Sequence, residues 1–290
     1  MRIAHFSDPH LLDLGSATLG DFASSKVLAG SLNVVFNRAR RYRTACFAAL
    51  VDDLNAQDFD HVVCTGDLVN LGLRPEFQRA AEILGRIRLG PSGVTLVPGN
   101  HDYYTAAAIA ERRFERALGA YATGDGQEVP EYPFLRLRDG LAVLGLCSAY
   151  ASPLGLADGR IGSAQLAAAE ALLTRPEVRE RFRLVLVHHP PVVHRGWFAR
   201  HLRDRGALQA MLARAGADLV LHGHDHHDER AAIPGPGASI PVIGVGSASY
   251  DDRRFDRAAR YHVLEIAART LVRVTTRVWD RDVDRFRELV

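Results

Sequence analysis

Five short clusters of carboxylate, imidazole and amide side chains punctuate the chain: Asp8-Pro9-His10, Gly66-Asp67, Gly99-Asn100-His101-Asp102, His188-His189-Pro190-Pro191 and Gly223-His224-Asp225-His226. Each follows an apolar run that reads as a β-strand, and in open α/β sheets ligands bind at the carboxyl ends of strands. Side chains at i and i+2 of an extended chain point to one face. Asp8 with His10, and His224 with His226, are therefore expected to approach one site together. Mixed imidazole, carboxylate and amide donors suit Mn, Fe, Zn or Co better than Mg or Ca, which favour all-oxygen shells. Seven such donors exceed what a single ion takes from protein while keeping open positions, whereas two ions sharing one carboxylate would use them all. A core that buried these groups without a cation would leave several polar atoms unpaired at high cost.

The elements that must position these clusters show in the alternation of patterns. RIAHFS, HVVCTGD and GVTLVPGNHD read as strands separated by the helical patterns TACFAALVDDL and EFQRAAEILGRI, a βαβαβ order. Strands recur at LAVLGLC, RLVLVHH and ADLVLHGH, with helices over SAQLAAAEALL, where Ser163 is the expected N-cap, and over 203–215. After Ile240 the pattern changes: PVIGVGSAS, RYHVLEIA and TLVRVTTRVW follow one another without helices and are expected to finish a second, antiparallel-leaning sheet. No repeat, low-complexity tract or linker cuts the chain, so its 290 residues read as one α/β domain.

Composition narrows the function classes. Apolar residues make up 47% and charged ones 24%, which excludes disordered and fibrous classes. A formal charge of +2, with Lys26 the only lysine among 36 basic residues, argues against a long nucleic-acid partner. Cys46, Cys64 and Cys147 lie far apart among apolar neighbours and read as core, not as a disulfide framework or zinc site. The opening MRIAHFSD lacks the apolar core of a signal peptide, and the uncharged stretch 231–250 carries three prolines and four glycines. A cytoplasmic protein without a membrane span is the expectation.

Taken in order, D-x-H, G-D, G-N-H-D, H-H-P-P and G-H-x-H resemble the signature of the calcineurin-like metallophosphoesterases, over residues 3–226. The resemblance implies a four-layer α/β sandwich of two facing mixed β-sheets flanked by helices. It also implies two divalent ions, Mn foremost, with Fe, Zn or Co as alternatives. Asp8, His10, Asp67 and His226 would hold one, and Asp67, Asn100, His188 and His224 the other, with Asp67 bridging. A hydroxide bridging the two ions would attack a phosphodiester or pyrophosphate bond. His101, beside Asn100 but not a ligand in the family, is expected to serve the leaving oxygen, with Asp102 orienting its imidazole.

The remaining polar residues concern the substrate. Gly66-Asp67-Leu68-Val69-Asn70-Leu71-Gly72 lacks the acidic residue and the arginine that the protein phosphatase branch carries in G-D-x-x-D-R-G. G-D-L-V-N and V-P-G-N-H-D are more similar to the bacterial phosphodiesterase branch, which includes cyclic-nucleotide and glycerophosphodiester hydrolases. Expected substrate contacts are Asn70, Tyr103 and His194, the last in a polar segment, with His201, at the site mouth. An insertion at about 14–44 carries apolar Phe22, Val27, Leu28, Leu32, Val34, Val35 and Phe36, then Arg38, Arg40, Arg41 and Arg43. It reads as a basic amphipathic segment for an anionic lipid surface or an acylated diphosphate, or as a helix packed on the body with a solvated arginine face. Its wording is similar to the UDP-diacylglucosamine hydrolases of lipid A synthesis. That similarity implies a lipid-linked substrate and peripheral contact with the inner membrane. A non-catalytic scaffold is opposed by the completeness of the ligand set. Of the other histidines, His5 and His222 are expected inside strands, His61 partly solvated, His189 directed away from its neighbour His188, and His227 in a loop.

Overall fold

Strands buried on both faces read as continuous apolar runs instead of alternating ones, and that pattern governs the centre of this chain. The computed structural model describes residues 1–13, 41–153, 155–193 and 200–289. In the first sheet β1 (Arg2–Phe6), β2 (His61–Cys64) and β3 (Val94–Leu96) are parallel, while β10 (Arg260–Ala267), β11 (Thr270–Asp280) and β12 (Arg285–Glu288) are antiparallel, in the order β12-β11-β10-β1-β2-β3. The second sheet contains β4 (Phe134–Arg138), β5 (Leu141–Gly145), β6 (Phe182–Leu186), β7 (Leu219–His222), β8 (Glu229–Ile233) and β9 (Ile240–Gly244). Its order is β4-β5-β6-β7-β9-β8, with β5, β6, β7 and β9 parallel.

The two sheets share one core. Leu184 and Leu186 of β6, with Leu219 and Leu221 of β7, pack inward with Ile3, Val63 and Leu264 of the first sheet, while Phe6 turns to Phe47 of the helix that follows. Their neighbours Val185 and Val220 turn outward onto Leu166, Leu208 and Leu212 of the helices Ser163–Leu173 and Arg205–Ala215. The helix Thr44–Asn55 buries Cys46, Phe47, Leu50, Val51 and Leu54. All three cysteines are buried and free, as expected, and burial pushes the thiols of Cys46 and Cys147 up to about 12. Among the described residues, no helix is long and apolar enough to cross a membrane.

Three expectations are corrected. The C-terminal strands do not complete the second sheet: β9 does so, parallel to β7, but β10–β12 extend the first, with Ile3 opposite Leu264. Local pattern marks a strand without saying which edge it joins. Ser163 is the first helical residue and not its cap. Gly162 takes that place with a φ of +89°, and the Asp204 carboxylate accepts its N–H at 2.7 Å. His61 is 1% exposed, its Nε2 2.8 Å from Thr95 Oγ1. His5 is buried in β1 with Nε2 3.0 Å from Thr65 Oγ1.

One buried cation ties the two sheets at an edge. Arg136 of β4 is 3% exposed, and its guanidinium donates to the carbonyls of Pro91 (2.8 Å), Val94 (2.7 Å), Ala120 (2.7 Å) and Thr123 (2.8 Å). Burial lowers its pKa to about 10, so it stays charged at neutral pH. The planar fork reaches four acceptors, a task a single ammonium group does not match. Arg136→Ala strands those carbonyls and is expected to cost about 2–4 kcal/mol in denaturant unfolding, with Arg136→Lys recovering only part. A loss within error of zero would contradict this role.

Candidate metal centre

Each candidate ligand sits two to four residues beyond the carboxyl end of β1, β2, β3, β6 or β7. The chain does not reach them in extended form. Asp8 (φ +54°), His10 (+45°), Asp67 (+54°), His224 (+75°) and His226 (+57°) are all left-handed. Asp8 with His10, and His224 with His226, therefore converge through kinks and not through the two-residue period of a strand. Left-handed backbone at a residue with a Cβ costs about 1–3 kcal/mol and persists only where the surroundings over-determine it. Here hydrogen bonds from Asp8 N to Gly66 O (2.9 Å) and His10 N to Asp67 O (3.0 Å) stitch the first two kinks together. Glycine makes room beside them: a Cβ on Gly99 would overlap Asp67 Oδ1, and one on Gly223 would overlap Ser7 Oγ and Asp8 Oδ2.

Ligand atoms of Asp8, His10, Asp67 and His226 lie within 4.8 Å of one another. His226 Nε2 is 2.9 Å from His10 Nε2 and 3.1 Å from Asp8 Oδ1, and His10 Nε2 is 3.7 Å from Asp67 Oδ2. On the other side of Asp67, His188 Nε2 is 3.4 Å from Asp67 Oδ2, 3.1 Å from Asn100 Oδ1 and 3.2 Å from His224 Nδ1. Asp67 thus faces both groups. Asp8 Oδ1 is buried without a hydrogen bond, and two imidazole nitrogens point at each other across a protein interior. Lone pairs so arranged are the donor set of a cation, and the residues fit two of them.

The outer nitrogens fix the ring tautomers. His188 Nδ1 donates to Thr65 O (2.7 Å) and His224 Nε2 to Arg200 O (3.0 Å), while His226 Nδ1 lies 2.8 Å from the Tyr42 hydroxyl. His189 does not point away as expected. The strand ends at Leu186, so its alternation no longer applies, and His189 joins His188 and His224 with ligand atoms within 4.8 Å. Its Nδ1 lies 2.8 Å from Ser148 Oγ.

A profile of the calcineurin-like phosphoesterases matches residues 1–228. The chain belongs to this family. As a calcineurin-like phosphoesterase it is a metal-dependent phosphoester hydrolase. Among solved structures it resembles a dimetal phosphatase from Danio rerio (TM-score 0.60, 15% identity, covering 95% of this chain and 94% of that one). It also resembles a purple acid phosphatase from yellow lupin seeds (0.57, 13%, 99% and 52%) and the sulfate thiohydrolase SoxB of Thermus thermophilus (0.50, 17%, 99% and 58%). The chain spans about half the length of the lupin enzyme. At such identities these likenesses show the fold. No curated protein matches the sequence.

Around the phosphoesterase centre, several expected contacts fall elsewhere. The backbone N–H of His101 donates to Asp67 Oδ1 (2.7 Å), its Nδ1 to Asn70 O (2.5 Å), and its ring stacks on Tyr104 at 5.2 Å and 15°. Asp102 does not orient that imidazole: its carboxylate accepts the N–H groups of Val69 (3.2 Å) and Gly99 (2.8 Å), bracing the loops that carry Asp67 and Asn100. Asn70 is 1% exposed, with its amide Nδ2 3.5 Å from His10 O. Tyr103 is buried against Phe114 and donates to Glu115. Arg41 donates to the Tyr250 hydroxyl (2.7 Å), and Arg43 pairs with buried Asp251 (2.9 Å). Arg38, Arg40 and His194 lie outside the described residues. Tyr42 and Tyr104, which touch His226 and His101, carry no motif that would have revealed them.

Gly223→Ala should drive the Asp8 carboxylate aside, giving a folded protein with less than half the metal of wild type by elemental analysis. Full metal content would show that the close approach is dispensable. Burial alone would hold the His188 imidazole neutral, but the Asp67 charge and hydrogen bond outweigh it and raise the pKa to about 9. A cation must displace that proton, so its affinity should rise about tenfold per pH unit until the pH nears 9. Titrations between pH 6 and 9 that show a flat affinity would contradict this.

Proposed function

We propose that this phosphoesterase is a dinuclear phosphodiesterase acting on small diesters, with Mn the ion of choice. The convergence of Asp8, His10, Asn100, His188, His224 and His226 around Asp67 carries the reading. Bound there, two divalent cations lower the pKa of a water and stabilise phosphoryl oxygens. The chain's own residues do the rest. Asp67 turns Oδ2 toward both positions, 3.7 Å from His10 and 3.4 Å from His188, and holds the His101 loop by accepting the His101 N–H at Oδ1. His101 keeps Nδ1–H on the Asn70 carbonyl and is clamped flat by Tyr104, so in the doubly protonated imidazolium the Nε2–H is the proton passed to the leaving oxygen, which leaves the ring neutral with Nδ1–H in place.

The choice of a diester rests on charge. A phosphomonoester dianion calls for additional positive groups, and the second motif carries the buried, neutral Asn70 and no arginine. The basic segment at 22–43 supports a second reading, hydrolysis of an acylated nucleotide-sugar diphosphate such as UDP-diacylglucosamine. Of its four arginines the two described ones are occupied, by Tyr250 and Asp251, which favours the small diester.

Mn-loaded protein should hydrolyse bis-p-nitrophenyl phosphate faster than p-nitrophenyl phosphate, with cyclic AMP above UDP-diacylglucosamine. Preference for the monoester would overturn the diester reading, and preference for the diacylated substrate would favour the second one. His101→Ala should retain both ions and lose about 10²- to 10⁴-fold in rate, least with p-nitrophenolate as leaving group. Equal losses for aryl and alkyl esters would remove His101 from the leaving-group role.

A further inference from the structure

Three imidazoles of the centre have an outer nitrogen held by a hydrogen-bond partner, and one of these partners differs in kind. Thr65 O and Arg200 O, which hold His188 and His224, are main-chain atoms. His226 leans on a side chain, the hydroxyl of Tyr42 at 2.8 Å. We propose that Tyr42 is the positioning residue of the His10–His226 metal position: its hydroxyl accepts the His226 Nδ1–H and so leaves Nε2 open to the cation. The inference rests on the two-cation reading above.

The contact is built, not incidental. Tyr42 and Tyr250 form an antiparallel bridge, flanked by hydrogen bonds from Arg43 N to Ser249 O (3.0 Å) and Asp251 N to Arg41 O (2.6 Å), and reinforced by the Arg43–Asp251 ion pair at 2.9 Å. The Tyr42 ring stands edge-on to His10 (5.0 Å, 76°) and to Tyr250 (5.3 Å, 76°), so its position is fixed from both sides. A phenol can also donate, which would put the imidazole proton on Nε2. That proton would then point at Asp8 Oδ1 and His10 Nε2 and close the position to a cation. Tyr42 therefore has a switchable role that a backbone carbonyl, having no proton, does not. Tyr42 and His226 also line a cleft of about 360 Å³ with Ser247, Tyr250 and Arg257, so whatever occupies the cleft touches the residue that orients the ligand.

Tyr42→Phe keeps the ring and removes the acceptor. Calorimetric titration of metal-free protein with Mn should show one of two binding events weakened about 10- to 100-fold and the other unchanged. In Co-substituted protein, the exchangeable, paramagnetically shifted N–H signal of His226 should exchange faster with water in the variant, an effect that loss of packing alone would not confine to one imidazole. Tyr250→Phe, which removes a neighbouring hydroxyl that does not touch His226, should leave both affinities as in wild type. Wild-type affinities and wild-type exchange in Tyr42→Phe would overturn the proposal. Should the wild type bind a single ion, the two-cation reading fails. Tyr42 is then judged on that ion alone, supported if Tyr42→Phe weakens it and overturned if it does not.

Discussion

Asp67 is pulled on from three directions in a place closed to solvent. Oδ1 accepts the His101 N–H at 2.7 Å, while Oδ2 faces His188 at 3.4 Å and His10 at 3.7 Å. Asp8 lies close by, equally buried, with one oxygen lacking a hydrogen bond. Burial alone would push the Asp67 carboxyl up, but positive charge brought by the facing imidazoles of His188, His101 and His10 holds it well below the usual carboxylate range. The imidazoles supply part of that charge in the metal-free protein, through the raised pKa of His188, and divalent cations supply all of it when bound. The hydrogen bonds of Asp102 to two backbone N–H groups and of Asn70 to His10 hold the donors where mutual repulsion would otherwise spread them.

That concentration of donors depends on the packing of the two sheets. The first sheet contributes Asp8, His10, Asp67 and Asn100 from the loops after β1, β2 and β3; the second contributes His188, His224 and His226 from those after β6 and β7. Neither half holds two cations alone. The shared core of Ile3, Val63, Leu184, Leu186 and Leu221 is thus also what assembles the site, and the stability it provides offsets the left-handed strain at five candidate ligand positions. Gly99 and Gly223 let backbones approach where the donors need space.

Much of this was legible in the sequence because it is local. Apolar runs ending in Asp, Asn or His mark β1, β2, β3, β6 and β7 with their candidate ligands, and β5 and β9 lie where two further apolar runs fall. What was not legible depends on distant partners. β10 pairs with β1 across some 260 residues of sequence, and no local pattern records that. The kinks at Asp8 and His226 escape a reading based on strand period, and with them the inward turn of His189. Asp102 looked like a partner for its neighbour His101, yet buried N–H groups at Val69 and Gly99 compete for its carboxylate and win. Tyr42 and Arg136 act through contacts with residues far along the chain and sit in no recognisable motif.

The central claim is that seven side chains from two sheets enclose a pair of cations sharing Asp67. The most direct test is a crystal structure of Mn-loaded protein with anomalous difference maps collected at the Mn edge. The account requires two peaks about 3.5–4 Å apart, one against Asp8, His10 and His226 and the other against Asn100, His188 and His224, with Asp67 touching both. A single peak, or two that do not share Asp67, would contradict it.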